Sequence, residues 1–396
     1  MKNGIVRLFS LLSFCMLCTP VYSFAKDSEA VFLGVENYGA EETNAENRDH
    51  FRYRFSMNGK EISCTMDNGT QDANGTWDYP LQNLLKVGSR YRLTLEAKKV
   101  TAAEEIPQEV PPFTPAVSGT PGLRTLSNFL RTALMPVGTA LYIYGGGWDW
   151  QDTGSAVQAR TLGVSPDWVR FFREQDESFT YKSKDGDEAN RDPASSYYPY
   201  GGFNQYYYAG LDCSGYLGWA VYNTLETESG KAGYVGGAGR FARRLADAGW
   251  GTWNHEASFP SETESGDLKP GDIVSIDGHV WISLGTCADG SAVIIHSTPS
   301  LSRTGQPGGG VQISAVWKDE NCEAYALADR YMKRFCPEWY ARYPAVVRSP
   351  EVYYDMEAEN AGLFRWHLSE SGFADPEGLR DMRPADVLEL LLGQAL

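Results

Sequence analysis

Three short stretches carry residue types that can do chemistry together: Asp212-Cys213-Ser214-Gly215, Gly278-His279-Val280 and Ile295-His296-Ser297. A cysteine followed along the chain by two histidines supplies a nucleophile, a base and a polar group to orient that base. Cysteine, then histidine, then a second polar residue is one of the few linear orders such sites use. The chemistry would be acyl transfer, the sulfur attacking a carbonyl carbon while the imidazole moves the proton. The bland alternatives are a small buried cysteine and two unrelated polar residues on a half-exposed sheet.

Such groups need particular elements to hold them. Leu217, Ala220, Val221 and Leu225 follow Cys213 at helical spacing with one buried face, and Asp212 stands where an N-cap belongs. The helix then starts at or next to Cys213. Unpaired N–H groups and the positive end of the dipole favour a thiolate there, and can receive an oxyanion. Residues 268–272 read as a turn, 273–276 as an apolar strand and Asp277-Gly278 as a hairpin signal. In the next strand Val280, Ile282 and Leu284 point one way, and His279, Trp281 and Ser283 the other. Residues 292–296 read as the following strand. A hairpin with Leu284 opposite Ser291 makes His279 and His296 direct partners, with Cβ atoms about 5 Å apart. One histidine would hold the other while a free nitrogen faces the thiol.

Five blocks together resemble the NlpC/p-sixty superfamily of bacterial cell-wall cysteine peptidases. They are Tyr142-Ile143-Tyr144-Gly145-Gly146, Asp212-Cys213-Ser214-Gly215, Leu268-Lys269-Pro270-Gly271-Asp272-Ile273-Val274, Gly278-His279-Val280-Trp281-Ile282-Ser283-Leu284-Gly285 and Ile295-His296-Ser297. The resemblance spans about residues 126–316. It implies a papain-like α+β fold with Cys213 as nucleophile, His279 as base and His296 as the residue that orients it. It further implies cleavage of the amide between D-glutamate and a diamino acid in peptidoglycan stem peptides. Asp212, Ser214 and a tyrosine, Tyr144 or Tyr142, would then bind a free stem-peptide N-terminus. The stretch between the Tyr-x-x-Gly-Gly block and the nucleophile is far longer than the family's usual one. The alternatives are an amidase acting on another wall amide and a non-catalytic cell-wall-binding protein with a papain-like fold.

The chain has 396 residues and a formal charge of −16. Its N-terminus reads as a secretory signal over residues 1–25, with Lys2 and Arg7 before the apolar core Leu8 to Cys18. That core is short for a membrane span of about 20 residues. The expectation is an exported protein, secreted, extracellular or in the cell wall, without a membrane span and acting as a monomer. An acid-rich surface argues against nucleic acid as a partner. Five cysteines lie beyond the signal: Cys64, Cys213, Cys287, Cys322 and Cys336. An odd number leaves at least one free thiol, with Cys213 the natural candidate, and a Cys322–Cys336 disulfide is one option for the rest. Beyond the signal no CxxC or HxxxH spacing occurs, so no metal and no cofactor is expected.

The organisation follows from composition. Residues 26–106 alternate in short runs punctuated by Asn58-Gly59, Asn68-Gly69 and Asn74-Gly75, which predicts a small β-barrel-like domain. Five prolines make 107–125 an extended linker. Residues 126–345 hold the peptidase-like domain, with helices predicted over 126–135 and 324–342. Its insertion, 147–211, contains a helix over 166–175 and a Tyr-rich loop, 197–208, read as self-packing. The glycines at 236–239 lack the Lys-Ser/Thr ending of a phosphate loop. Residues 346–396 read as a helical C-terminal extension used for packing, with a helix over 384–392.

Overall fold

Alternation closes the N-terminal strands into a barrel. The computed structural model describes residues 26–37, 51–66, 70–71, 77–78, 81, 84–85, 87–108, 113–143, 145–146, 163–174, 209–225, 236–260, 268–305, 307–370 and 372–393. Strands β1 (Lys26–Asn37), β2 (Phe51–Met57), β3 (Lys60–Met66), β6 (Arg90–Glu96) and β7 (Lys99–Glu105) close in the order β1-β2-β3-β7-β6. Phe32, Tyr53, Phe55, Cys64, Tyr91, Leu93 and Val100 fill it, as the period of two requires. Asn58 and Gly59 both have positive φ, 53° and 73°, which sets the tight β2–β3 hairpin. A bulge between Phe32 and Gly34 bends β1, so that its first half pairs with β6 and its second with β2. The two-residue strands β4 (Thr70–Gln71) and β5 (Trp77–Asp78) pair with each other.

The rest is built on a seven-stranded sheet in the order β13-β12-β11-β10-β9-β14-β8. Its strands are β8 (Gly251–Asn254), β9 (Ile273–Ile276), β10 (His279–Thr286), β11 (Ala292–Leu301), β12 (Pro307–Val316), β13 (Val347–Arg348) and β14 (Gly362–Trp366). Eight α-helices accompany it among the described residues: α1 (Leu126–Leu134), α2 (Pro166–Glu174), α3 (Cys213–Leu225), α4 (Phe241–Asp247), α5 (Glu323–Phe335), α6 (Pro337–Arg342), α7 (Pro350–Tyr353) and α8 (Pro384–Leu392). The architecture is compatible with an α+β class.

Helix α3 lies at the centre. A single buried face was the expectation, yet every residue from Tyr216 to Leu225 is buried. A helix apolar all round must be enclosed by other elements. Here the sheet residues Val280, Ile282, Val293 and Ile295 share its core with Phe129 of α1 and Trp168 of α2. The Trp168 and Trp219 rings meet edge-on at 5.7 Å. Asn223, inside this core, is satisfied by donating to Trp219 O and accepting from Gly163 N. A second core, with Val274, Ile276, Trp281, Ile294, Tyr353 and Leu363, covers the sheet's opposite face.

Several expectations need correcting. The helix predicted over 324–342 is two helices, because Cys336 leaves helical geometry (φ −130°, ψ 55°) and Pro337 opens α6. Cys322 and Cys336 cap opposite ends of the 13-residue α5. They are therefore about 20 Å apart, too far for a disulfide, and all five described cysteines are free. The helical extension over 346–396 also contributes strands, with β14 seated between β9 and β8. Within the linker, residues 113–125 pack on α1: Val117 is buried and Thr120 N donates to Asn128 Oδ1. The signal segment, Asn68-Gly69, Asn74-Gly75 and the Tyr-rich loop 197–208 lie outside the described residues. In the insertion, Arg170 of α2 reaches the barrel side, where Nη2 donates to Ser89 Oγ at 2.6 Å.

Candidate active site

The entry to α3 is built by close backbone approach. Leu211 N donates to Leu141 O and Asp212 N to Gly146 O, both at 3.0 Å. A Cβ on Gly146 would sit 2.7 Å from Gly210 O, and one on Gly210 would sit 2.4 Å from Leu141 O. The second glycine of the Tyr-x-x-Gly-Gly block is thus needed for contact with the chain entering α3. Ser297 Oγ adds a tie from β11, donating to Leu211 O at 2.6 Å. Asp212 caps the helix, its Oδ1 accepting from Gly215 N at 2.6 Å and from Ser214 Oγ at 3.0 Å. The two residues carried over as substrate-binding, Asp212 and Ser214, are therefore bonded to each other. Tyr144 lies outside the described residues, and Tyr142 is buried.

Cys213 is buried, and its thiol donates to Gly278 O at 3.8 Å, not to an imidazole. Burial pushes its pKa far up, and the Asp212 carboxylate adds to this. Backbone N–H groups of Val280, Ser214 and Cys213 itself oppose the rise by favouring the charged sulfur. The helix N-terminus alone predicted an acidic thiol; desolvation outweighs it.

The structure brings the two histidines together by a different register from the expected one. Ile282 faces Ile295 and Ser283 faces Ile294, with a bulge before Gly285, which pairs with Val293. Leu284 therefore does not face Ser291. On the histidine side the offset from the expected register is two residues, an even number, so both imidazoles stay on one face as diagonal neighbours. Gly285, at φ +107°, is what the bulge requires. His279 Nε2 lies 3.3 Å from His296 Nδ1, and His296 Nε2 lies 2.9 Å from Ser314 Oγ. One tautomer set makes His279 a base toward a thiol. His279 Nε2–H donates to His296 Nδ1, and His296 Nε2–H donates to Ser314 Oγ. His279 Nδ1 then keeps its lone pair, and it makes no hydrogen bond among the described residues.

Burial holds both imidazoles neutral. His279 is pushed down to about 3 by desolvation and then by the Arg348 cation. His296 falls well below the usual range through desolvation, then the charges of His279 and Arg348. The resting site therefore pairs a neutral thiol with neutral imidazoles.

Sequence reasoning missed Tyr353, Arg348, Thr298 and Ser314. The Tyr353 ring packs 4.9 Å from His279 and 5.5 Å from His296. Its hydroxyl lies 2.9 Å from Thr298 Oγ1, and its carbonyl accepts from Trp281 Nε1. Burial raises the Tyr353 pKa, Arg348 opposes this, and a charge on Cys213 would raise it further, so the thiol and this ring share one neighbourhood. The sequence signal was faint: Ser349-Pro350 marks a helix start, but nothing local says which wall α7 meets.

The Pro-Gly-Asp block has a structural role. Asp272, buried on β9's approach, accepts from Arg365 Nε at 2.9 Å and Nη2 at 2.6 Å, which pins β14 to the sheet. Elsewhere, Cys287, Asp289 and Glu323 place metal-ligating atoms within 4.8 Å of one another. Those carboxylates already accept from Ser291 N, Glu323 N and Ala288 N, joining the β10–β11 turn to the start of α5.

Comparison with known proteins finds no matching family model, no matching curated protein and no matching solved structure. The resemblance therefore stands on the five motif blocks alone.

Proposed function

We propose that this chain is an exported cysteine peptidase of papain-like fold that hydrolyses an amide in peptidoglycan stem peptides, the D-glutamyl–diamino acid bond. The observation that carries the reading is the 3.3 Å contact between His279 Nε2 and His296 Nδ1. It directs the free His279 Nδ1 away from its partner, in the residue after the carbonyl that receives the Cys213 thiol. The barrel, peptidase and C-terminal segments form one secreted monomer in this reading.

In the reaction, Cys213 Sγ gives its proton to His279 Nδ1 as the sulfur attacks the amide carbon. Because both groups start neutral, proton transfer accompanies attack instead of preceding it. His296 steadies the imidazolium that forms. His279 then protonates the leaving amine, and the carbonyl stays on sulfur as a thioester. Water, deprotonated by His279, releases the acid and returns the thiol.

Mass spectrometry of purified muropeptides tests this, after incubation with residues 26–396 and with the same protein carrying Cys213→Ala. Products cut between D-glutamate and the diamino acid, absent with the variant, support both nucleophile and bond. Cleavage at another amide, equally dependent on Cys213, supports the amidase alternative. A second reading, a non-catalytic wall-binding protein, is favoured by one observation: the thiol donates to a carbonyl and burial holds it protonated. Intact muropeptides together with a Cys213 inert to iodoacetamide would select it.

A further inference from the structure

Arg348, on the short strand β13, stands over the candidate site. Its Nη2 donates to Pro299 O at 2.5 Å and to Thr298 Oγ1 at 3.4 Å. Its guanidinium carbon lies 5.7 Å from the centre of the Tyr353 ring that covers both histidines. Nε is enclosed without a partner, and the guanidinium also reaches the Tyr353 hydroxyl, so that Nη1 is the arm with no separate acceptor among the described residues. No carboxylate pairs with this arginine among the described residues, in a chain with 51 acidic residues against 35 basic ones.

A cation with no carboxylate partner among the described residues is electrostatically costly beside a general base. His279 must become positive when it takes the thiol proton, and a neighbouring guanidinium opposes that change. Both imidazoles already feel it, after burial, as a downward push. An anion supplied from outside would remove the opposition at the step where it matters. A guanidinium N–H offers a charge-assisted hydrogen bond to a carboxylate.

We propose that Arg348 is a carboxylate-binding subsite, so that the preferred substrate carries a free carboxylate beside the scissile amide. The proposal rests on the hydrolase reading above and deepens it by naming the substrate class. Nη1 would hold the carboxylate through one charge-assisted hydrogen bond, and the bound anion would favour the imidazolium form of His279.

The test uses two synthetic stem peptides that differ only in whether the carboxyl next to the scissile amide is free or a carboxamide. Isothermal titration into the Cys213→Ala protein measures binding without turnover. The free-carboxylate peptide is expected to bind about tenfold tighter or more, the scale of a charge-assisted hydrogen bond. Arg348→Met added to Cys213→Ala should bring the ratio close to one, and Arg348→Lys should leave it in between. Thermal melts check each fold. If Arg348→Met does not fold, the Arg348→Lys ratio decides, since it must fall below that of the parent. Equal binding of both peptides by the parent, no binding of either, or a ratio unchanged by substitution of Arg348 would overturn the subsite. The hydrolase reading fails separately, if wild-type protein leaves both peptides uncut; a binding preference that depends on Arg348 would then stand on its own.

Discussion

Both faces of the sheet's central strands β9 to β12 are buried, and they are differently made. Toward α3 the face is aliphatic: Val280, Ile282, Leu284, Val293 and Ile295 are all buried there. On the other face His296, Ser314 and Gln312 are fully buried polar side chains beside Trp281 and Ile294. Each fully buried aliphatic side chain on the first face stabilises the fold by roughly 1.5–3 kcal/mol. A buried polar group brings no such gain and costs stability unless bonded. The second face has therefore traded packing for a hydrogen-bonded line from His279 through His296 to Ser314. The contrast teaches where to look for chemistry: on the sheet face that burial energetics alone would not have built.

Substitution on each face should separate the two roles. His279→Ala should lower turnover by about 10²–10⁴, the usual contribution of a general base, with a small change in melting temperature; His296→Ala should cost less, because an orienting group is partly replaceable. Ile282→Ala, one residue from Trp281 but on the aliphatic face, should cost about 2–5 kcal/mol of stability. Denaturant melts and steady-state rates read both. If His279→Ala proved as destabilising as Ile282→Ala and no less active than wild type, the distinction between the faces would collapse.

Arg365→Ala comes next. It leaves Asp272 buried without its bidentate partner, and removing one member of a buried pair costs about 3 kcal/mol. Asp272 titrates higher than an ordinary carboxylate, burial outweighing Arg365. Urea unfolding of the variant should show a lower midpoint, with β14 released from the sheet.

The neutral imidazoles predict a pH signature. His279 binds its proton near pH 3 when folded and near 6.5 when unfolded. The unfolded chain takes up that proton first, so stability is full above about pH 6.5 and falls as the pH drops toward about 3. The melting temperature of His279→Gln should fall less over that window than that of the wild type. Parallel curves would mean that His279 is not held neutral.

The smallest effect concerns Asp212. Asp212→Asn keeps a capping side chain but removes the charge that raises the Cys213 pKa. Alkylation of Cys213 at pH 8 should accelerate modestly, with stability nearly unchanged. A slower reaction would show that the carboxylate does not oppose the thiolate.

Much of this could be read from the chain because it is local. Helix α8 and strand β9 fall where their residues predicted, Pro384–Leu392 and Ile273–Ile276. The barrel followed from alternation and Asn58-Gly59, and Cys213 does open a helix capped by Asp212. What stayed hidden depends on distant pairing. The β10–β11 register turns on a bulge before Gly285, which alternation alone does not reveal. Strand β14 joins the sheet beside β9, nearly ninety residues earlier, and Tyr353 reaches the histidines by tertiary packing alone. Cys213 reads as an activated thiol until its full enclosure is known.

Peptide mapping of protein quenched during turnover of a muropeptide tests the role of Cys213 most directly. A thioester-linked acyl fragment is expected on the peptide containing Cys213, absent from Cys213→Ala, which should not turn over. Hydrolysis with no such adduct, and at an equal rate in Cys213→Ala, would contradict that role.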